Sequence, residues 1–140
     1  MSERFFLDTN IFVYSVDLSA PRKATIAEEL ISRSLLTRKG VISYQVIQEF
    51  FNVAVKRFSA VMSIADAEQY LNQTFLPLFS VQSSATLYRD ALRLHSTVRF
   101  SWYDSLIVSA ALHAKCEILY TEDLQHGQKI GSLQIVNPFL

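Results

Sequence analysis

Cysteine, glycine and proline are scarce in this chain of 140 residues, which has one Cys, three Gly and three Pro. The lone Cys116 excludes an intramolecular disulfide framework and any multi-cysteine zinc cage. So little glycine and proline excludes collagen-like and low-complexity sequence. With 50% hydrophobic and 19% charged residues, disorder is excluded as well. No apolar run approaches the roughly 20 residues that span a bilayer. The opening Met1-Ser2-Glu3-Arg4 runs into an apolar stretch stopped by Asp8, too short for a signal peptide. The composition predicts a soluble, cytoplasmic protein with no membrane partner, folded as one domain over residues 1–140. A globule of this size buries roughly 68–70% of the surface its unfolded chain exposes.

What is present reads as short apolar segments separated by long amphipathic ones. Phe5-Phe6-Leu7 is a buried strand ending on Asp8, and Val41-Ile42-Ser43 is a second. Phe79–Gln82, Glu117–Tyr120 and Leu133–Val136 supply three more. Between them, Pro21 suits the first turn of a helix, and Arg38-Lys39 before Gly40 signal its end. Val46, Ile47, Phe50, Phe51 and Ala54 share one face of a helix over 44–58. Ser63-x-x-Asp66 is a capping-box start for a helix expected to stop at Pro77. A helix opening at Ser84 follows, and the one from Ser101 to Cys116 is apolar nearly all round. The segment 123–130 reads as a polar loop. The alternation points to an α/β fold around a five-stranded parallel sheet. Ligands of such sheets bind beyond the carboxyl ends of the strands, where strand order reverses.

That rule draws attention to acids just after strands. Asp8 ends the first strand in Asp8-Thr9-Asn10, and Asp123 follows the fourth in Thr121-Glu122-Asp123. Asp104 lies in the first turn of the helix leading into the fourth strand, stacked with Ile107, Val108 and Ala111 and so aimed inward. Glu49 follows the second strand at the margin of an apolar stripe. Each has a plainer explanation: Asp104 as partner of a Ser101 cap, Asp8 and Asn10 as caps, Glu49 as a surface glutamate, Asp123 as a turn residue. Jointly these explanations weaken, because four carboxylates at one sheet edge repel unless a cation compensates. An all-oxygen set suits Mg²⁺. Cys116 and His113 share a helix with no second ligand pair, so zinc is a poor fit, and His126 reads as a loop histidine. Gly-rich phosphate loops, nucleophile elbows and dinucleotide fingerprints are absent.

The 13 basic and 13 acidic residues cancel. Setting aside Asp8, Glu49, Asp104, Glu122 and Asp123 leaves the basic residues in excess, a surface that attracts polyanions. Lys56-Arg57 and the pair Arg89 and Arg93 are candidate contacts for such a polyanion, with solvated helix faces the plainer reading. A metal site with a basic surround suits phosphodiester hydrolysis by a metal-activated water.

Four segments together resemble the motifs of PIN-domain nucleases. They are Leu7-Asp8-Thr9-Asn10, Glu49, Trp102-Tyr103-Asp104-Ser105-Leu106-Ile107 and Tyr120-Thr121-Glu122-Asp123-Leu124. Their order and spacing suit VapC-type toxins of bacterial toxin–antitoxin pairs. The resemblance implies a three-layer α/β fold whose parallel sheet runs 3-2-1-4-5, flanked by helices, with the acid pocket at the switch between strands 1 and 4. It implies an endoribonuclease dependent on Mg²⁺ or Mn²⁺, a homodimer, and inhibition by a cognate antitoxin protein. Asp8 and Asp104 would be the principal metal ligands, with Asp123 completing the site. Glu49 would orient or deprotonate the attacking water, or reach the metal through water. Thr9, Asn10 and Thr121 would steady these acids by hydrogen bonds. Glu122 adjoins Asp123; alternation lets only one point into the pocket, and Asp123 is favoured.

Other readings keep the fold and change the function. One is a non-catalytic RNA-binding or regulatory module; another is a DNA nuclease using the same pocket. A phospho-acceptor receiver domain lacks support, since Asp8-Thr9, Phe79–Gln82 and Val136-Asn137 supply none of its required acids and lysine. Phe50, Phe51, Val55, Tyr70, Leu71, Phe75 and Leu78 exceed what one small core is expected to enclose. They predict an exposed apolar groove for a second copy and an antitoxin segment.

Overall fold

Phe5, Phe6 and Leu7 are buried, as a central strand covered on both faces requires, and they form β1 (Phe5–Leu7). The computed structural model describes residues 3–57 and 62–140; Phe58, expected to end the third helix, lies outside them. After β1 come α1 (Thr9–Ser15), α2 (Pro21–Thr37), β2 (Gly40–Ser43) and α3 (Tyr44–Arg57). Then follow α4 (Ile64–Tyr70), a π-helical turn (Leu71–Phe75), α5 (Leu76–Leu78), β3 (Phe79–Val81) and α6 (Ala85–Thr97). The chain closes with α7 (Trp102–His113), β4 (Ile118–Tyr120), β5 (Lys129–Ile130) and β6 (Leu133–Val136). Among the described residues no helix is long and apolar enough to cross a membrane.

The sheet order is β3-β2-β1-β4-β6-β5. Its five parallel strands follow the expected 3-2-1-4-5, with Phe6 aligned on Val41 on one side and Leu119 on the other. The sixth strand is a correction. Lys129–Ile130 pairs antiparallel with β6, inside the segment read as a polar loop. Gly131, at φ 58°, supplies the left-handed residue that turns β5 into β6. The order reverses between β1 and β4, which opens the crevice where loops from both strands meet.

Two helix ends gain detail. α2 ends at the Arg38-Lys39 signal, with Arg38 in the left-handed capping position at φ 57°, and Gly40 begins β2. Glycine is required there by close approach, since a Cβ would sit 2.2 Å from the Ser34 hydroxyl oxygen. The helix expected to stop at Pro77 ends one residue beyond it, at Leu78, after a π-helical turn over Leu71–Phe75.

The apolar surplus largely disappears into the core. Phe50, Phe75 and Leu78 are buried, and Phe12, Phe50, Phe51, Tyr70 and Phe75 form a knot of rings with centroids 5.0–5.6 Å apart. Of the residues named for an exposed groove, Val55 stays exposed, beside exposed Ile64 across a cavity of about 240 Å³.

Candidate active site

The site begins with where β1 stops. The Asp8 amide still donates to the Tyr120 carbonyl at 3.0 Å, continuing the ladder with β4, while its side chain turns to cap α1. Oδ1 accepts the Thr9 amide at 2.7 Å and Oδ2 accepts the Thr121 hydroxyl at 2.8 Å. Asp8 is only 4% exposed. Burial pushes its carboxyl up to about 7. The Thr121 and Thr9 hydrogen bonds pull the other way, and the Asp123 and Glu49 charges add to the rise.

Glu49 reaches the same place from α3. Its Oε1 accepts the Thr9 hydroxyl at 2.8 Å, and its Oε2 accepts the Gln45 amide at 3.3 Å. Gln45, buried one turn earlier, also donates to the Tyr103 carbonyl at 3.2 Å and so ties α3 to the start of α7. Asp104 lies one residue further on, in the first turn of α7, where its amide donates to the Ser101 hydroxyl at 3.1 Å. Its side chain is half-buried rather than fully inward, and its carboxyl is raised by burial first and by the Asp123 charge, against the Ser101 hydroxyl.

The exit from β4 sorts the two neighbouring acids. Asn10 donates to the Thr121 hydroxyl at 3.3 Å and to Asp123 Oδ2 at 3.2 Å, while its own Oδ1 accepts the Glu122 amide at 3.4 Å. Glu122 lines the same cleft as Asp123 but bonds Lys23 Nζ and the Tyr14 hydroxyl, each at 2.5 Å. Lys23 also lies over the Tyr14 ring, 4.6 Å from its centroid. Glu122, set aside above with the pocket acids, therefore neutralises a surface lysine.

Asp8, Glu49, Asp104 and Asp123 thus share one electrostatic neighbourhood at the β1–β4 switch. Among the described residues, no three His, Cys, Asp or Glu side chains lie close enough to cage a metal ion. The donor set nonetheless fits Mg²⁺ or Mn²⁺. Mg²⁺ uses one or two carboxylates and keeps several waters, and the buried Asp8 carboxyl lacks a positive partner among its hydrogen bonds. A softer metal has no ligands here. Cys116 is buried with its thiol pushed up to about 12, His126 accepts the Asn137 amide, and His113 bonds Asp90.

Residues 5–129 match the PIN domain family. The chain belongs to that family. Among curated proteins, none matches this PIN-domain chain in sequence. Solved structures do. A toxin–antitoxin complex from Klebsiella pneumoniae has a chain 18% identical, with 95% of this chain and 96% of that one aligned at a TM-score of 0.65. FitAB bound to an IR36 DNA fragment gives 16% identity, 97% and 96% coverage and 0.65. VapBC2 from Rickettsia felis, bound to a DNA fragment from their promoter, gives 20%, 94% and 96%, and 0.60. At such identities the likeness shows a shared fold.

Sequence reasoning overlooked Gln45, whose only signal is its spacing four residues before Glu49 on one helix. It also overlooked Tyr14, Asp17, Asn52 and Val53, which with Glu49, Asp123 and Arg57 line a cleft of about 500 Å³. No motif marks them; they meet only because α1 and α3 pack side by side.

Proposed function

We propose that this PIN-domain protein is a metal-dependent endoribonuclease and the toxin of a toxin–antitoxin pair. The observation that carries the reading is the buried Asp8, bonded to Thr9 and Thr121 and within electrostatic reach of Asp123 and Glu49 at the strand switch. Asp8, Asp104 and Asp123 would hold Mg²⁺ or Mn²⁺, one or two of them directly and the rest through its waters, and the ion would supply charge neutralisation at the scissile phosphate and a water of lowered pKa.

The chain's own groups divide the remaining work. Thr121 fixes Asp8 and accepts the Asp123 amide at 3.1 Å, so one hydroxyl sets the spacing of both acids. Asn10 ties the exposed Asp123 carboxylate to the α1 side of the cleft. Glu49, with both oxygens anchored, keeps one orientation toward the cleft and serves to orient or deprotonate the attacking water. Basic side chains bind the RNA backbone and carry little sequence information. The solved complexes with antitoxins support a protein inhibitor as partner, and the apolar cavity lined by Val55, Met62 and Ile64 supports a protein contact, with a homodimer the arrangement we infer.

The test is cleavage of a mixed RNA and DNA panel with Mg²⁺, Mn²⁺ or chelator, wild type beside Asp104→Asn. The expected result is metal-dependent cutting of RNA, reduced at least about a hundredfold by the substitution. Equal cutting by both proteins would sink the site. RNA binding without cutting would favour the non-catalytic module.

A further inference from the structure

The cleft beside the acids has a direction. One wall is α3, whose Glu49, Asn52, Val53 and Arg57 recur at helical spacing. The other is Asn10, Val13 and Tyr14 of α1 with Asp17 just beyond its end, and Asp123 and the Lys23-paired Glu122 also line the cleft. Both helices start at the acid edge of the sheet, so the walls run from Glu49 and Asn10 toward Arg57 and Asp17. Eight residues of helix separate Glu49 from Arg57, roughly 12 Å of cleft at 1.5 Å per residue. That is more than one nucleotide needs.

The far end is where the cleft gains a cation. Asp17 Oδ1 already accepts the Ser19 amide at 2.9 Å and the Ser19 hydroxyl at 2.6 Å. Those bonds hold its carboxyl low, and the Arg57 charge adds to them. A guanidinium has five donors in a fork, enough to serve Asp17 and a phosphate together. The other basic candidates are placed elsewhere. Neither Arg89 nor Arg93 lines this cleft, and Arg93 pairs with Asp90 on α6.

We propose that the α1–α3 cleft is a track for single-stranded RNA, in which Arg57 binds a backbone phosphate at least one nucleotide away from the phosphate held at the acids. The proposal rests on the endoribonuclease reading and adds to it a distal subsite and a minimum substrate length. Val13 and Val53, midway along opposite walls, offer apolar surface to a base or ribose. Asn52 offers a neutral donor and acceptor there, without charge preference.

The test measures binding of fluorescein-labelled oligouridylates of graded length, by anisotropy across a salt series. An Asp104→Asn background prevents cleavage. Arg57→Gln should weaken binding of long oligomers about tenfold, as loss of one charge-assisted contact does. It should also flatten the log–log salt dependence by about 0.7. Arg57→Lys should keep most of that slope, which separates charge from misfolding. The shortest oligomers, unable to span the cleft, should bind both proteins alike. Asp17→Asn, which keeps the acceptor for Ser19 but removes a negative charge, should tighten binding of long oligomers. Unchanged affinity and slope in Arg57→Gln, or an equal loss at every length, would overturn the track. Weaker binding by Asp17→Asn would make the Asp17–Arg57 pair a structural strut and overturn it too. A parent that binds no oligouridylate, and whose wild type cuts no RNA, would remove the endoribonuclease reading and the track with it.

Discussion

Two neighbours on α3 belong to opposite kinds of protein interior. Phe50 is fully buried in the ring knot, stacked on Tyr70 at 5.1 Å and edge-on to Phe75 at 5.1 Å. Glu49, next along the chain, accepts hydrogen bonds from Thr9 and Gln45 and lies within electrostatic reach of Asp8. The ring knot gains stability from each group it buries, because aromatic surface leaves water and meets close-packed partners. The acid edge loses stability when it buries Asp8, since desolvation opposes the charge that chemistry needs. One helix serves both because its faces diverge by 100° per residue. The molecule holds its strained polar edge in place with the apolar cluster behind it.

The largest effect should come from breaking the apolar side. Phe50→Ala removes a ring from the centre of the knot and leaves a cavity, so chemical denaturation should show a loss of about 3–5 kcal/mol. A loss below 1 kcal/mol would mean that the knot is loosely packed and does not support the acid edge.

The opposite sign is expected on the polar side. Asp8→Asn keeps a good helix cap and removes the buried charge. In chelator above pH 7 the variant should be more stable than wild type by about 1–2 kcal/mol, after allowing for a poorer bond to Thr121. The folded-state carboxyl is raised from 3.8 to about 7, so the penalty on wild type is full above pH 7. It shrinks as pH falls and is gone below about 4, and the variant's advantage should close over that window. Excess Mg²⁺ should reverse the order, since a ligand at a hundred times its Kd adds about 2.7 kcal/mol to the state that binds it. Thermal melts of both proteins, with chelator and with Mg²⁺, decide it. A variant less stable in chelator at pH 8 would show that Asp8 acts chiefly as cap and anchor.

The smallest effect sharpens the contrast between two acids of the same sheet edge, Asp8 and Glu122. Glu122 is held below the ordinary carboxylate range: burial works against that, but the Lys23 and Tyr14 bonds outweigh it. Its contribution is therefore present at neutral pH and lost as pH falls through its lowered range. Glu122→Gln should lower the melting temperature by a few degrees at most near pH 7, as a partly exposed ion pair implies, with no difference in strong acid. The two variants should thus converge on wild type from opposite sides as the solution is acidified. Parallel pH dependence would mean that Glu122 and Asp8 share one environment.

Much of this was legible in the chain itself. Phe5-Phe6-Leu7 stopped by Asp8, and Ile118-Leu119-Tyr120 followed by Thr121, mark strands and their carboxyl ends because an apolar run and a polar stop are local facts. Parallel pairing then brings both ends to one edge, which makes the acids neighbours before any contact is known. Ser63 with Asp66 announces a cap for the same reason: both halves of the box lie within one turn.

Other features required partners distant in sequence. Nothing near Glu122 says that it will meet Lys23, 99 residues away. Gly40 looks like a helix stop until Ser34 is packed against it. Phe50, Phe75 and Leu78 look like too much apolar surface until the segment around the π-helical turn packs against α3 and folds its rings inward. Local sequence determined which segments become strands and helices and which residues carry charge to the sheet's edge, because periodicity and stop residues act over a few positions. Only the tertiary structure decided which acids face one another and where the cleft runs. Desolvation, ion pairing and close packing depend on distance in space, and separation along the chain does not report it.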